Sequence, residues 1–463
     1  MGAGQVKHGE HAIVLGGSIS GMASAAAVSP HFTKVTIVER DELPEGPENR
    51  RGVPQGTHTH ALMTGGRDAF EALMPGFSDR MVAAGAPIFD QPRDIAFLTG
   101  QGWLKRAETG VETFFARRPV LEAVVRDLIG DFPNIELLRA TATGVLATDG
   151  GDRVTGVTLE CDGEQRELTG DLVIDATGRA SRATKWLEAL GYDVPDEVEV
   201  QPHLGYASRL VKVPDEVWPE GVTGVIALPY PGETRGGSLL LQDNGYTIMT
   251  TCGSAGDFPP GDEAGFEEFL QTAMTPILWD IYQQSEPLTE ITTTRTSLNR
   301  MRQYHKMERR PAGFVCIGDS MQCMNPGYGQ GMTNCSRQAL EFARQLGEPG
   351  ASLDAVVDGF PARVIEINAF AWGVAVGGDM RLPTTEAIGL EPPTAEDLAG
   401  AEFFTALERA ATADGWLVGL LQGAINQMDP TPLFAPEVQE RVAEWAQKVI
   451  PAEVTDLTRV PAL

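Results

Sequence analysis

The apolar run 12–15 (AIVL) leads without a break into Gly16, Gly17 and Ser18, after which the chain resumes with Ser20 and Gly21. Such a run closed by glycines reads as a buried strand, a tight turn and a helix start. A second apolar strand over 34–38 ends on the acid Glu39. Together these are the parts of a βαβ dinucleotide unit. In that reading Gly16 permits the turn, Gly21 lets helix and strand approach, the helix N-terminus faces a pyrophosphate, and Glu39 accepts a ribose hydroxyl. Ser18 stands where the middle glycine of G-x-G-x-x-G is usual, so the backbone is expected to approach the phosphates less closely.

The pattern of strand, glycine turn and helix returns later. DLVIDATGRASR predicts a strand ending at Asp175 with a turn through Ala176, Thr177 and Gly178. The apolar run 314–317 delivers Gly318 and Asp319 to a strand's carboxyl end, where ligands sit in open α/β sheets. The stretch 325–332 (NPGYGQGM) is too glycine-rich for core, and a helix is expected over 333–346. Residues 86–111 alternate like exposed sheet strands. Pro119 suits the first turn of a helix beginning at Arg118. Strands follow over 135–146 and 153–159, joined by a turn at 149–151. Short β-runs between Pro and Gly clusters over 193–309 predict an antiparallel sheet, covered by a helix over 263–271. Beyond Gly350 the pattern is helical, and Val438, Val442, Trp445 and Val449 form an apolar stripe in the last helix.

The predicted fold is therefore α/β, with a Rossmann-like βαβ nucleotide-binding domain, an antiparallel-sheet substrate domain and a helical C-terminal region. The first comprises 1–85, 112–192 and 310–349, the second 86–111 and 193–309, and the third 350–463. A chain of 463 residues suits two or three packed units. Its 64 acids against 36 lysines and arginines, a net charge of −28, exclude a general grip on nucleic-acid phosphates. No stretch of about 18 apolar residues occurs and the N-terminus has no charged-then-apolar signal, so no membrane association and a cytoplasmic location are expected. Five cysteines without C-x-x-C or metal spacing read as reduced, buried thiols, Cys323 among them as a small apolar filler. His58 and His60, two apart in an extended stretch, are expected on one side, with Thr57 and Thr59 on the other.

The Gly318-Asp319 pair with the 325–332 loop resembles the G-D motif of flavin monooxygenases similar to para-hydroxybenzoate hydroxylase. Within that superfamily the chain resembles bacterial polyketide-olefin epoxidases, through RRGVPQGTHTHAL, RRPVLEAVVRD, DATGRAS, Asn299-Arg300 with Tyr304, NPGYGQGM and AWGVAVGGDMRLPTTE. The same lineage includes flavin-containing [4+2] cyclases that form decalins without net oxidation.

The resemblance implies FAD, with Asp319 on the ribityl chain and the glycine-rich loop along the isoalloxazine. Besides Gly16, Gly21 and Glu39, it implies cofactor contacts from Ser18, Ile19, Ser20, Arg40, Arg51, Gln55, Arg118, Gly329, Gln330, Gly331 and Met332. Asn325, Pro326, Gly327 and Tyr328 are the pocket-lining candidates; no catalytic residue is assigned. The implied substrate is a small polyketide-like molecule, epoxidised through a flavin peroxide or, alternatively, cyclised without oxidation. A flavin-bearing binding protein is a further alternative. Related aromatic hydroxylases carry an Asp-Gly dipeptide that contacts flavin and NADPH, and here Thr177-Gly178 occupies that place. Electrons are accordingly expected from a separate flavin reductase or from transiently bound NAD(P)H. The Trp-x-Trp-x-Ile-Pro signature of flavin halogenases is absent, which argues against halogenation.

Overall fold

The computed structural model describes residues 6–463, so the first five residues of the expected 1–85 segment lie outside it. Gly9–Leu15 is the middle strand of a five-stranded parallel sheet. The order is Phe314–Cys316, Leu172–Asp175, Gly9–Leu15, Phe32–Glu39 and Ile135–Arg139. A strand enclosed on both faces must be apolar throughout, and Ala12, Ile13, Val14 and Leu15 are all fully buried. The helix Ile19–Val28 is buried almost all round, and its sequence ISGMASAAAV supplies the small side chains that permit this. It shares one core with the sheet, the helix Gly331–Leu346 and an antiparallel meander of Thr141–Ala147, Val154–Cys161 and Glu164–Thr169.

The second large sheet has eight strands, centred on Gly205–Lys212, Thr247–Gly253 and Arg235–Leu241. Period-two alternation gives it two faces. Ala207, Val211, Met249, Leu239 and Val225 point outward beneath the helices Glu263–Gln271 and Ile277–Tyr282. On the opposite face Tyr206 and Ser208 reach toward the part built on the parallel sheet, through Asn325 and His58. The expected helix over 263–271 forms, capped by Asp262, whose carboxylate accepts the Gly265 N–H.

Four expectations are corrected. Ile95–Thr99 is largely buried rather than exposed, because it joins the large sheet beside Gly224–Ala227 and packs between two cores. That pairing is parallel, so the sheet is mixed rather than wholly antiparallel. The last long helix is Pro436–Ala446, and Val449 lies beyond it, 92% exposed. The C-terminal region also contributes the strand Glu386–Ile388 to a four-stranded sheet, next to Glu197–Gln201. No helix among the described residues is long and apolar enough to cross a membrane. All five cysteines are buried and free.

Candidate functional site

Three turns from distant parts of the chain meet at the carboxyl end of the parallel sheet. Gly16 has φ of 101°, and a Cβ there would lie 2.7 Å from the Ala176 carbonyl oxygen in the DATG turn. A Cβ on Gly21 would lie 1.8 Å from the Gly16 oxygen, so only glycine lets the helix start against its own turn. Gly318, with φ of 64°, approaches Ser20 so closely that a Cβ would come within 2.6 Å of its Oγ. Asp319 stands beside Gly178, whose added Cβ would be 4.0 Å from the Asp319 Cβ, and beside Gly331, 3.9 Å from Oδ1 by the same measure.

The residues here fit a dinucleotide. The helices Ile19–Val28 and Gly331–Leu346 begin at this junction with no side-chain cap and no acid in the first turn. Their first N–H groups remain available to an anion. Ser20 Oγ is buried without a hydrogen-bond partner, and the Asp319 side chain is 38% exposed. Ser20 and Asp319 could hold the ribityl hydroxyls and the helix starts the pyrophosphate.

A buried ionic network braces the first turn. Gly17 N–H donates to Glu39 Oε2 at 2.7 Å and Asp41 N–H to Oε1 at 2.9 Å. An ionised carboxylate offers about four acceptor positions, so Glu39 retains capacity for a ribose hydroxyl. Ser18 Oγ donates to Glu122 Oε1 at 2.6 Å, while Arg118 donates to both Ser18 Oγ (2.9 Å) and Glu122 Oε1 (3.0 Å). Arg50 joins Glu122, Asp41 and Glu39 at 3.1, 2.9 and 3.6 Å. Burial pushes the Glu122 carboxyl up, but Arg118, the Ser18 hydrogen bond and Arg50 together hold it below the usual range. Arg50 and Glu122 are the residues sequence reasoning missed here. The spacing of Arg118 and Glu122, four apart on one helix, was the available signal. Arg51, Gln55 and Arg40, by contrast, are exposed at the rim.

The glycine-rich loop is held from behind. Asn325 is 1% exposed and does not line an open pocket. Its Oδ1 accepts Tyr206 O–H at 2.7 Å and Gly327 N–H at 3.1 Å, and its amide donates to Asp379 at 3.1 Å. Asp379 also accepts the Tyr328 O–H at 3.0 Å and the Asn299 amide N–H at 2.6 Å. Asp379, at the end of the helix Leu353–Asp379, thus receives three neutral donors and no cation. Burial raises its carboxyl to about 6 in spite of the hydrogen bonds from Asn299, Asn325 and Tyr328. Asp379 was not a sequence candidate, because nothing local marks an acid near a helix end as buried. Gln330 also turns away from the cleft, donating to the Ile425 carbonyl and accepting from Gln427. Pro326, Gly327 and Gly329 form the loop's accessible crest, while Met332 is buried in the following helix.

His58 and Thr59 do not face opposite ways. His58 Nδ1 lies 2.9 Å from Ser208 Oγ and Thr59 Oγ1 2.8 Å from Thr250 Oγ1, and those two sheet hydroxyls are 2.7 Å apart. Thr57 ends a helical turn, Pro54–Thr57, and only His58 onward is extended, so the period of two does not run through 57–60. Burial lowers the His58 imidazole; burial and then Arg118 bring His60 to about 3, so His60 is neutral near pH 7.

A family model described as FAD dependent oxidoreductase matches residues 12–185. Protein Rv3254 of Mycobacterium tuberculosis is 35% identical over 353 residues, 73% of each chain. The chain belongs to this FAD-dependent oxidoreductase family. Its fold is that of solved flavoproteins. p-Nitrophenol 4-monooxygenase PnpA from Pseudomonas putida superposes with a TM-score of 0.61 at 14% identity, over 91% of this chain and 98% of that one. The Diels-Alderase PyrE3 of pyrroindomycin biosynthesis gives 0.61 at 15%, over 91% and 81%. The cofactor of this FAD-dependent oxidoreductase is FAD.

Proposed function

We propose that this oxidoreductase is a monooxygenase that epoxidises an olefin of a polyketide-like small molecule. The observation that carries this reading is the position of the 325–329 crest between Asp319 and the inward face of the large sheet, joined to that face through Tyr206 and Asn325. A substrate resting on the sheet would there meet the flavin. Reduced FAD with dioxygen supplies the oxygen atom and the two electrons of the reaction. The protein's share is to hold the crest still and to keep water from the reacting carbons.

A redox-neutral [4+2] cyclisation is the second reading, favoured by the DATG turn. Thr177, standing where aromatic hydroxylases have an aspartate, is locked by its own neighbour, with N–H and O–H both donating to Asp175 Oδ1 at 2.9 and 2.5 Å. That position therefore offers no free carboxylate to an electron donor. In a cyclase the same cleft would act by holding the ends of one chain in near-attack geometry.

Turnover of the polyene substrate under argon, with oxidised FAD and no reductant, separates the two. A product heavier by one oxygen, formed only with dioxygen and reductant, is expected. Undiminished turnover under argon to a product of unchanged mass would replace the epoxidase with the cyclase.

A further inference from the structure

In a chain with 64 acids and 36 lysines and arginines, arginines such as Arg50, Arg118 and Arg302 sit against carboxylates. Two arginines at one cavity, Arg295 and Arg300, depart from this. Arg179, Arg295 and Arg300 line a space of about 280 Å³ with Gln201, Thr296 and Ser297, and no carboxylate lines it. Arg295 and Arg300 form no ion pair among the described residues, while Arg179 pairs with Asp319 at 3.5 Å through its Nε.

Apart from the Arg179–Asp319 pair, the guanidinium groups are held by neutral groups. Arg179 donates to the carbonyls of Leu298 (3.0 Å) and Met324 (2.5 Å), and Arg300 donates to the Arg179 carbonyl at 2.7 Å. The Arg295 guanidinium lies 4.6 Å from the centre of the Phe258 ring. Carbonyls and a ring orient Arg300 and Arg295 without cancelling their charge, and Asp319 opposes Arg179 alone, so the cavity is locally positive on a strongly acidic protein. Forked, uncancelled N–H donors around a concavity suit an oxyanion. The volume is just below the roughly 300–1,000 Å³ of sites that enclose a whole drug-sized ligand, which points to one charged group rather than an entire molecule. Arg179 follows Gly178 directly and reaches Asp319, so the cavity opens beside the flavin turn.

We propose that this cavity is an anion subsite that takes a phosphate or carboxylate of a small molecule docking beside the flavin. The proposal rests on the FAD assignment and is independent of whether the reaction is epoxidation or cyclisation.

The test titrates FAD-loaded enzyme at low salt with inorganic pyrophosphate and, separately, succinate, followed by calorimetry. At least one should bind saturably to wild type and about 10- to 100-fold more weakly to Arg295→Gln, the range expected for losing a charged hydrogen-bond donor. Arg295 has no backbone hydrogen bond to lose, so FAD content and melting midpoint should be unchanged in that variant. Arg300→Lys, which keeps the charge but not the fork, should also weaken binding. If pyrophosphate raises the apparent KM for a reduced pyridine nucleotide, the anion belongs to the electron donor. If succinate binds through Arg295 and the nucleotide is unaffected, it belongs to an acidic substrate. Absence of saturable binding by both probes, or equal binding to wild type and Arg295→Gln, would overturn the proposal.

Discussion

Two aspartates show how differently one residue type is used around this cleft. Asp319 sits in a turn with its carboxylate partly open, 38% exposed. Its replacement by alanine should weaken FAD binding by about 5- to 150-fold, the equivalent of about 1–3 kcal/mol for unpaired buried hydroxyls; equal FAD affinity on equilibrium dialysis would displace the ribityl chain from this turn. Asp379 is closed off, with its carboxyl raised from 3.8 to about 6 by burial. The folded chain thus holds this proton more tightly than the unfolded chain does. The stabilisation linked to it is fully present below about pH 4 and is lost as the pH rises through about 6, on the order of 3 kcal/mol at most. Comparing the melting midpoint of wild type and Asp379→Asn from pH 4 to 7 should show the wild type losing ground to the variant across that window. Parallel curves would show that Asp379 does not titrate there.

At the scale of elements, the site depends on close approach of backbones that no side chain could improve. Gly21→Ala would place a methyl group 1.8 Å from the Gly16 oxygen, so the first helix would have to move off its turn. This variant should purify without flavin and melt earlier, as absorbance at the flavin band and calorimetry would record. The loop is fixed by a lighter device, the Tyr206–Asn325 hydrogen bond between sheet and crest. Tyr206→Phe leaves the Asn325 oxygen with the Gly327 N–H alone and should cost about 0.5–1.5 kcal/mol. Because the crest faces the proposed substrate position, turnover should fall more than FAD affinity does. A variant with unaltered turnover would detach the crest from the reaction.

For the whole molecule, the chain's end is part of the sheet's outer layer. Trp103 N–H donates to the Asp456 carbonyl at 3.0 Å and Thr275 O–H to the Leu457 carbonyl at 2.6 Å, while Leu457 and Val460 pack on the outer core. Truncation after residue 450 would remove both hydrogen bonds, at about 0.5–1.5 kcal/mol each, together with the packing of Leu457 and Val460. Its urea midpoint should drop while FAD affinity holds, since the turns at Gly16, Gly178 and Asp319 lie in the other core. Loss of FAD together with stability would show instead that the two cores are coupled through this tail.

The parallel sheet, the glycine turn at Gly16 and the Gly318-Asp319 turn were legible in the sequence, because each is dictated locally. An apolar run buried on both faces and a glycine required by positive φ leave their mark at the residues concerned. The helix at Arg118 was legible for the same reason, through Pro119. The tertiary structure alone decided which charges meet. Arg50 rather than Arg51 enters the network with Glu122, Asn325 faces inward rather than lining the cleft, and Asp379 crosses from the C-terminal helix to close on a loop some fifty residues earlier in the chain. Hydrogen-bond and ion partners far apart in sequence have no period and no spacing to announce them, since burial of a polar group depends on what the rest of the chain lays over it. Ile95–Thr99 makes the same point for apolar positions: its alternation marked a strand, and only the packing of two cores around it determined that both faces would be covered.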